Sequence, residues 1–235
     1  MSLNYAFIFA RGGSKGIKNK NLKLFNGKPL IYYSINMAKK ISKIKKIFVS
    51  SDDKKILNVA KQYGAETILR PKSISRDNSS EIKAWKHAVN YLIKKKDYFD
   101  NFVSLPCTAP LRIKNDVIIA LKKINNKKDI VLGITKSSKS PDFNMVKKNK
   151  SKVKLLSASR NLFNRQKVKK TFDLTTIIYA CHLKYVMSIK KSLWEGNVKY
   201  IEIPKIRSID IDDIVDFRLA EFIYQNKKKF NLKFI

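Results

Sequence analysis

Residues 10–21 read Ala-Arg-Gly-Gly-Ser-Lys-Gly-Ile-Lys-Asn-Lys-Asn, directly after the apolar run at 5–9. Gly12, Gly13 and Gly16 permit positive φ and close backbone approach, so successive N–H groups can face phosphate oxygens. Arg11 adds a planar fork of donors, Lys15 and Lys20 add compact charges, and Asn21 adds an amide donor. The glycine spacing matches neither the dinucleotide fingerprint nor the P-loop. A bound polyphosphate is the chemistry that this set serves. Near the other end, residues 208–223 read as a strand end entering a helix. There Asp210 and Asp212 project to one side while Ile209 and Ile211 face the other. Two carboxylates so close call for a divalent cation such as Mg²⁺, or else form a capping cluster without metal. Asp213 and Asp216 fit the cap and first turn of the following helix, with Val215, Leu219 and Phe222 as its buried stripe.

Such groups need a scaffold that delivers them to one place. Short β-branched or aromatic runs at 4–10, 46–51, 66–69, 101–105, 129–135, 175–181 and 198–203 predict strands. Helical periods fall between them. Pro29 opens one that buries Ile31, Ile35 and Ala38. Residues 51–53 cap a second, with Ile56, Ala60 and Tyr63 inward. A third carries Ile82, Trp85, Val89 and Leu92, and a fourth follows Arg112. Alternating strands and helices predict an α/β fold, Rossmann-like, with a mostly parallel sheet covered by helices on both faces. Residues 136–172 break this rhythm and predict a small insertion, a hairpin and a helix, used for dimerisation. The expectation is one domain over 1–235.

The chain has 235 residues, 44% of them hydrophobic, which suits a folded core. No apolar run is long enough to span a bilayer, and no signal-type segment opens the chain, so a cytoplasmic protein without a membrane partner is expected. Cys107 and Cys181 lie too far apart for a metal pattern and are expected to be reduced. The net charge of +33 invites a nucleic-acid reading. The cations are spread along the chain, however, and no nucleic-acid-binding signature accompanies them. His87 and His182 lack a partner nucleophile and read as packed residues.

Several of these segments together resemble the acylneuraminate cytidylyltransferase (CMP–sialic acid synthetase) family. The resemblance runs through residues 10–17 with Lys20 and Asn21, then residues 27–31, 49–53, 63–66, Arg70-Pro71, 77–80, 108–112 and Arg165-Gln166. It implies that Ala10, Arg11, Gly12, Ser14, Lys15, Lys20, Asn21, Arg70 and Ser80 bind the nucleotide. By the same resemblance Thr108, Arg112, Arg165 and Gln166 lie on the sugar side, and Asp210 and Asp212 hold Mg²⁺. The implied reaction joins CMP from CTP to the anomeric hydroxyl of a nonulosonic (sialic-acid-like) 2-keto sugar acid and releases pyrophosphate, with Arg11 and Lys20 catalytic. A homodimer with CTP and a nonulosonic acid as partners, and no nucleic acid, is expected.

Two departures from the family fall on the sugar side: Pro106 replaces a glutamine, and Thr175-Thr176 replaces Asn-Gly. They leave the acceptor open among N-acetylneuraminate, legionaminate and pseudaminate types. The alternatives are a cytidylyltransferase for another keto-sugar acid such as Kdo, a glycosyltransferase of similar fold, and a non-catalytic nucleic-acid-binding protein.

Overall fold

The structure is a computed structural model and describes residues 2–76, 79–157 and 170–232. Seven strands build the main sheet: β1 (Asn4–Phe9), β4 (Ile44–Ser51), β5 (Glu66–Leu69), β6 (Asn101–Ser104), β7 (Asp129–Lys136), β10 (Phe172–His182) and β11 (Asn197–Glu202). Two small hairpins, β2 (Leu24–Phe25) with β3 (Lys28–Pro29) and β8 (Val146–Asn149) with β9 (Lys152–Leu155), stand apart from it. The main sheet runs β11-β7-β10-β6-β1-β4-β5. Every neighbouring pair is parallel except at β10, which runs antiparallel to both β6 and β7. The expected α/β fold is present, with one reversed strand. Chain order turns back between β1 and β6, the kind of place where open α/β sheets bind ligands.

Strand alternation sorts the core into two layers. Ala6, Ile8, Val49, Val103 and Val131 face one side, against α1 (Leu30–Lys39), α2 (Lys54–Gln62) and α4 (Lys114–Lys122). Tyr5, Phe7, Phe48, Phe102 and Leu132 face the other, against α3 (Glu81–Lys94) and α5 (Leu183–Ser188). This second layer is aromatic. Phe7 stacks on Phe102 at 4.6 Å between centroids and on Phe48 at 5.5 Å, and Trp85 of α3 lies 5.1 Å from Phe102. Each such ring, fully buried, contributes about 1.5–3 kcal/mol. The expected inward residues of the first three helices are buried or half-buried in these layers.

A third cluster joins the loop after β1 to the C-terminal helix α6 (Ile214–Gln225), through Ile17, Phe25, Leu30, Ile211, Phe217, Ala220 and Ile223. Here one expectation fails. Val215, Leu219 and Phe222 are exposed, and Phe217, Ala220 and Ile223 form the buried stripe instead. Residues 208–213 also form no strand. They run as an irregular segment anchored by the Ile211 N–H donating to the Thr108 carbonyl at 2.9 Å.

The 136–172 excursion contains the β8–β9 hairpin, whose residues are exposed throughout. The helix expected beside it is absent from the described residues of this segment. Both cysteines are buried and unpaired. Among the described residues, no helix is long and apolar enough to cross a membrane.

Candidate functional site

The loops leaving β1 and β6 frame a cleft of about 520 Å³. Its floor and one bank come from the loop after β1, which supplies Arg11, Ser14, Lys15, Gly16, Lys20 and Asn21. The opposite bank is the segment entering α3, with Arg70, Ile74, Ser75, Arg76, Ser79, Ser80, Glu81 and Ala84. Thr108 and Asp212 close the remaining side. The structure therefore gathers Arg11, Ser14, Lys15, Lys20, Asn21, Arg70, Ser80, Thr108 and Asp212 as expected from sequence.

The first loop is fastened from several directions. The Gly12 N–H donates to Asp52 Oδ1 at 3.2 Å, and Asn21 Nδ2 donates to the Arg11 carbonyl at 3.0 Å. Gly16 is pressed against the 208–213 segment: a Cβ there would fall 2.1 Å from the Asp212 carbonyl oxygen. Close approach, not positive φ, is what this glycine provides. None of Gly12, Gly13 and Gly16 has a positive φ; in the loop that conformation belongs to Asn19, with φ 54°. Ala10 is buried with its N–H held by the Ser50 carbonyl, so it lies behind the cleft. Gly12 likewise offers no amide to a ligand, because Asp52 holds it. Asp53, as expected, caps α2 by accepting from Lys55 N–H.

Lys20 reaches across the cleft base. Its Nζ donates to the Ile211 carbonyl at 2.6 Å and stands 3.9 Å from Asp212 Oδ1. Asp212 is open to solvent, whereas Asp210 sits deeper, its Oδ1 buried without a hydrogen-bond partner. Burial raises the pKa of Asp210 and the charge of Asp212 adds to this, while the Thr108 hydroxyl and Lys20 oppose it. Asp213 and Asp216 form the reciprocal cap of α6, as expected.

Arg112 corrects the sequence reading. It is 2% exposed and faces the core rather than the cleft. Its Nε donates to the Ile177 carbonyl, Nη1 to Ser34 Oγ at 3.2 Å and Nη2 to the Pro106 carbonyl at 2.8 Å. Burial pushes its pKa down to about 10, so it stays cationic at neutral pH. A guanidinium occupied this way braces the loop after β6 against β10 and is not available to a sugar carboxylate. Arg165 and Gln166 lie outside the described residues. Cys107 is buried and its thiol is pushed up to about 12, which leaves it unreactive. His182 caps α5, accepting from the Lys184 N–H.

Glu81 is the site residue that the sequence reading missed. It lines the cleft, and Oε1 accepts from the fully buried Trp85 Nε1 at 3.1 Å. Water reaches it through the cleft, yet protein surrounds its carboxyl group. That burial raises its pKa, opposed by Trp85 and Arg70. The signal was its place directly after Ser80, at the first turn of α3, where an acid also reads as a simple partner of the helix dipole.

Against this geometry stand the relatives. A family model described as cytidylyltransferase matches residues 5–229. Post-translational flagellin modification protein B of Campylobacter coli is 30% identical over 226 residues, covering 94% of each chain. CMP-N,N'-diacetyllegionaminic acid synthase of Campylobacter jejuni is 29% identical over 226 residues, again 94% of each. Among solved structures, a CMP:2-keto-3-deoxy-manno-octonic acid synthetase complexed with CTP superposes with a TM-score of 0.73 at 17% identity. That superposition covers 96% of this chain and 100% of the other, and shares the fold. With nearly the whole chain matched, from β1 to beyond α6, the protein belongs to the cytidylyltransferase family and is a nucleotidyltransferase.

Proposed function

We propose that the protein transfers CMP from CTP to the anomeric hydroxyl of a nonulosonic 2-keto sugar acid, releasing pyrophosphate. The observation that carries this reading is the single cleft that sets Arg11, Lys15 and Lys20 opposite Arg70 and beside Asp212. The acylneuraminate-type segments support it, as does the likeness to a legionaminic acid synthase along almost the full length of both chains.

The orphaned, buried Oδ1 of Asp210 beside a second carboxylate fits a divalent cation. Among the described residues no cluster of three or more ligating side chains exists. Two carboxylates suit Mg²⁺, which keeps waters and substrate phosphates as its other ligands. Asp210 and Asp212 would hold it, and when bound it polarises the phosphoryl group under attack. The Ile211 carbonyl tethers the Lys20 ammonium beside Asp212, at the wall of the cleft. Arg11 and Lys20 neutralise the charge that accumulates on departing pyrophosphate, where positioned cations lower a barrier. The Ser34, Pro106 and Ile177 contacts of Arg112 hold the loop after β6 in place, and with it Thr108 at the cleft wall.

Pyrophosphate release with CTP and Mg²⁺ tests the reading across N-acetylneuraminate, legionaminate, pseudaminate and Kdo. Release is expected with one of the first three acids and its loss in Asp210→Ala. Turnover with Kdo alone, or with none of the four, would remove the nonulosonate acceptor.

A further inference from the structure

The cleft mixes cations with apolar wall, a combination that suits both parts of a nucleotide. Arg11, Lys15 and Lys20 line it from the loop after β1. Phe9, Ile74 and Ala84 contribute apolar surface, and Arg70 and Glu81 line the same cleft from the segment entering α3. A polyanion suits the cations and a planar base the apolar wall.

In this cleft a donor and an acceptor act within each other's electrostatic reach. Arg70 is buried, its Nε is tied to Ser75 Oγ at 3.0 Å, and its terminal amino groups make no hydrogen bond among the described residues. Glu81 is tied through Oε1 to Trp85, which leaves Oε2 without a hydrogen bond among the described residues. The two charges attract each other, but no ion pair joins them among the described residues, so neither consumes the other. Cytosine offers acceptors at O2 and N3 beside an amino donor at N4, and carboxylates accept from that amino group. Uracil presents an oxygen at the same place, which would meet the carboxylate acceptor to acceptor.

We propose that Glu81 is a specificity-determining residue that accepts a hydrogen bond from the 4-amino group of the cytosine base. This rests on CTP being the donor. Trp85 has no exposed surface, so its indole N–H fixes the Glu81 rotamer before the base arrives. A purely structural Glu81 would need only the oxygen that Trp85 uses, and would have no influence on the choice of base.

Calorimetric titration of the full chain with CTP and with UTP tests this without any acceptor sugar. Glu81→Gln keeps an oxygen for Trp85 and turns an N–H toward the base. The preference for CTP over UTP is expected to fall about tenfold, through weaker CTP and tighter UTP binding, with thermal unfolding unchanged. Glu81→Ala is expected to weaken CTP and to tighten UTP less than Glu81→Gln does, because it removes the opposing acceptor without supplying a donor. An unchanged CTP/UTP ratio in Glu81→Gln, with CTP still bound, overturns this proposal alone. Failure of the unaltered protein to bind CTP overturns the donor assignment and this proposal with it.

Discussion

The loops after β1 and β6 leave neighbouring strands at the same edge of the sheet, yet they direct their cations differently. Arg11, Lys15 and Lys20 of the first loop line the cleft. Arg112, the cation of the second, turns inward and engages each of its three guanidinium nitrogens, with Ile177, Ser34 and Pro106. Arg70 sharpens the contrast, because it is nearly as buried as Arg112, at 6% against 2% exposed. Among the described residues only its Nε is engaged, by Ser75, and it lines the cleft. Burial does not separate an arginine that lines the cleft from one that braces the core. What separates them is whether the protein has already filled the donors.

This contrast predicts that cleft cations govern turnover and interior cations govern stability. The largest effect is expected for Lys20→Ala, which removes a cleft cation that the proposed reaction sets against the transferring phosphates. Its kcat should fall about 10²–10³-fold. Urea denaturation should show a loss of no more than about 2 kcal/mol, the worth of the charged hydrogen bond to Ile211. A stability loss as large as the loss of turnover would place Lys20 with the interior group.

Arg112→Ala is the opposite case. Removing the side chain leaves the Ile177 and Pro106 carbonyls unsatisfied and opens space beneath the loop. A loss of about 3 kcal/mol in urea denaturation is expected. CTP affinity of the folded protein should stay within about twofold, since none of its donors reaches the nucleotide. A selective rise in the KM for the sugar acid, with stability intact, would return Arg112 to the sugar side.

The same contrast explains what could be read in the sequence. The seven main strands declared themselves through β-branched and aromatic runs, and the cleft cations through a glycine-rich segment at the end of the first of them. Arg112 did not, because its type and motif fix its chemistry but not its direction. The turn of the loop decides which way it points, and that turn depends on acceptors from β10 and α1 far away in sequence. The α6 stripe failed for another reason. Val215, Leu219 and Phe222 share the helical spacing of Phe217, Ala220 and Ile223, so periodicity alone could not choose between the faces. Packing against Phe25 and Leu30 chose. Of the two roles read for the loop glycines, positive φ is absent from all three, while close approach holds at Gly16 against the Asp212 carbonyl, and Gly13 has no neighbour that a Cβ would meet.

The smallest expected effect probes an interior cation far from the cleft. Lys199 on β11 pairs at 2.7 Å with Asp129, which has no exposed surface and opens β7. Asp129 also accepts from the backbone N–H groups of Asn125 and Asn126 and from Asn197 Nδ2. Burial alone would raise its pKa, but the hydrogen bond from Lys199 and these three others outweigh it and bring the value from 3.8 to about 2. A carboxylate depressed in the folded state stabilises above its unfolded pKa and loses that stabilisation as pH falls through the folded one. The contribution of about 2 kcal/mol should therefore be complete above pH 5 and vanish between about pH 4 and pH 2. Urea denaturation of Asp129→Asn beside the unaltered protein measures it: the gap should be about 2 kcal/mol at pH 6 and close as pH approaches 2. CTP binding at pH 7 should not change, because this ion pair joins β7 to β11 at the far edge of the sheet from β5. A gap that persists unchanged at pH 2 would mean that packing of the side chain, and not its charge, is what Asp129 contributes.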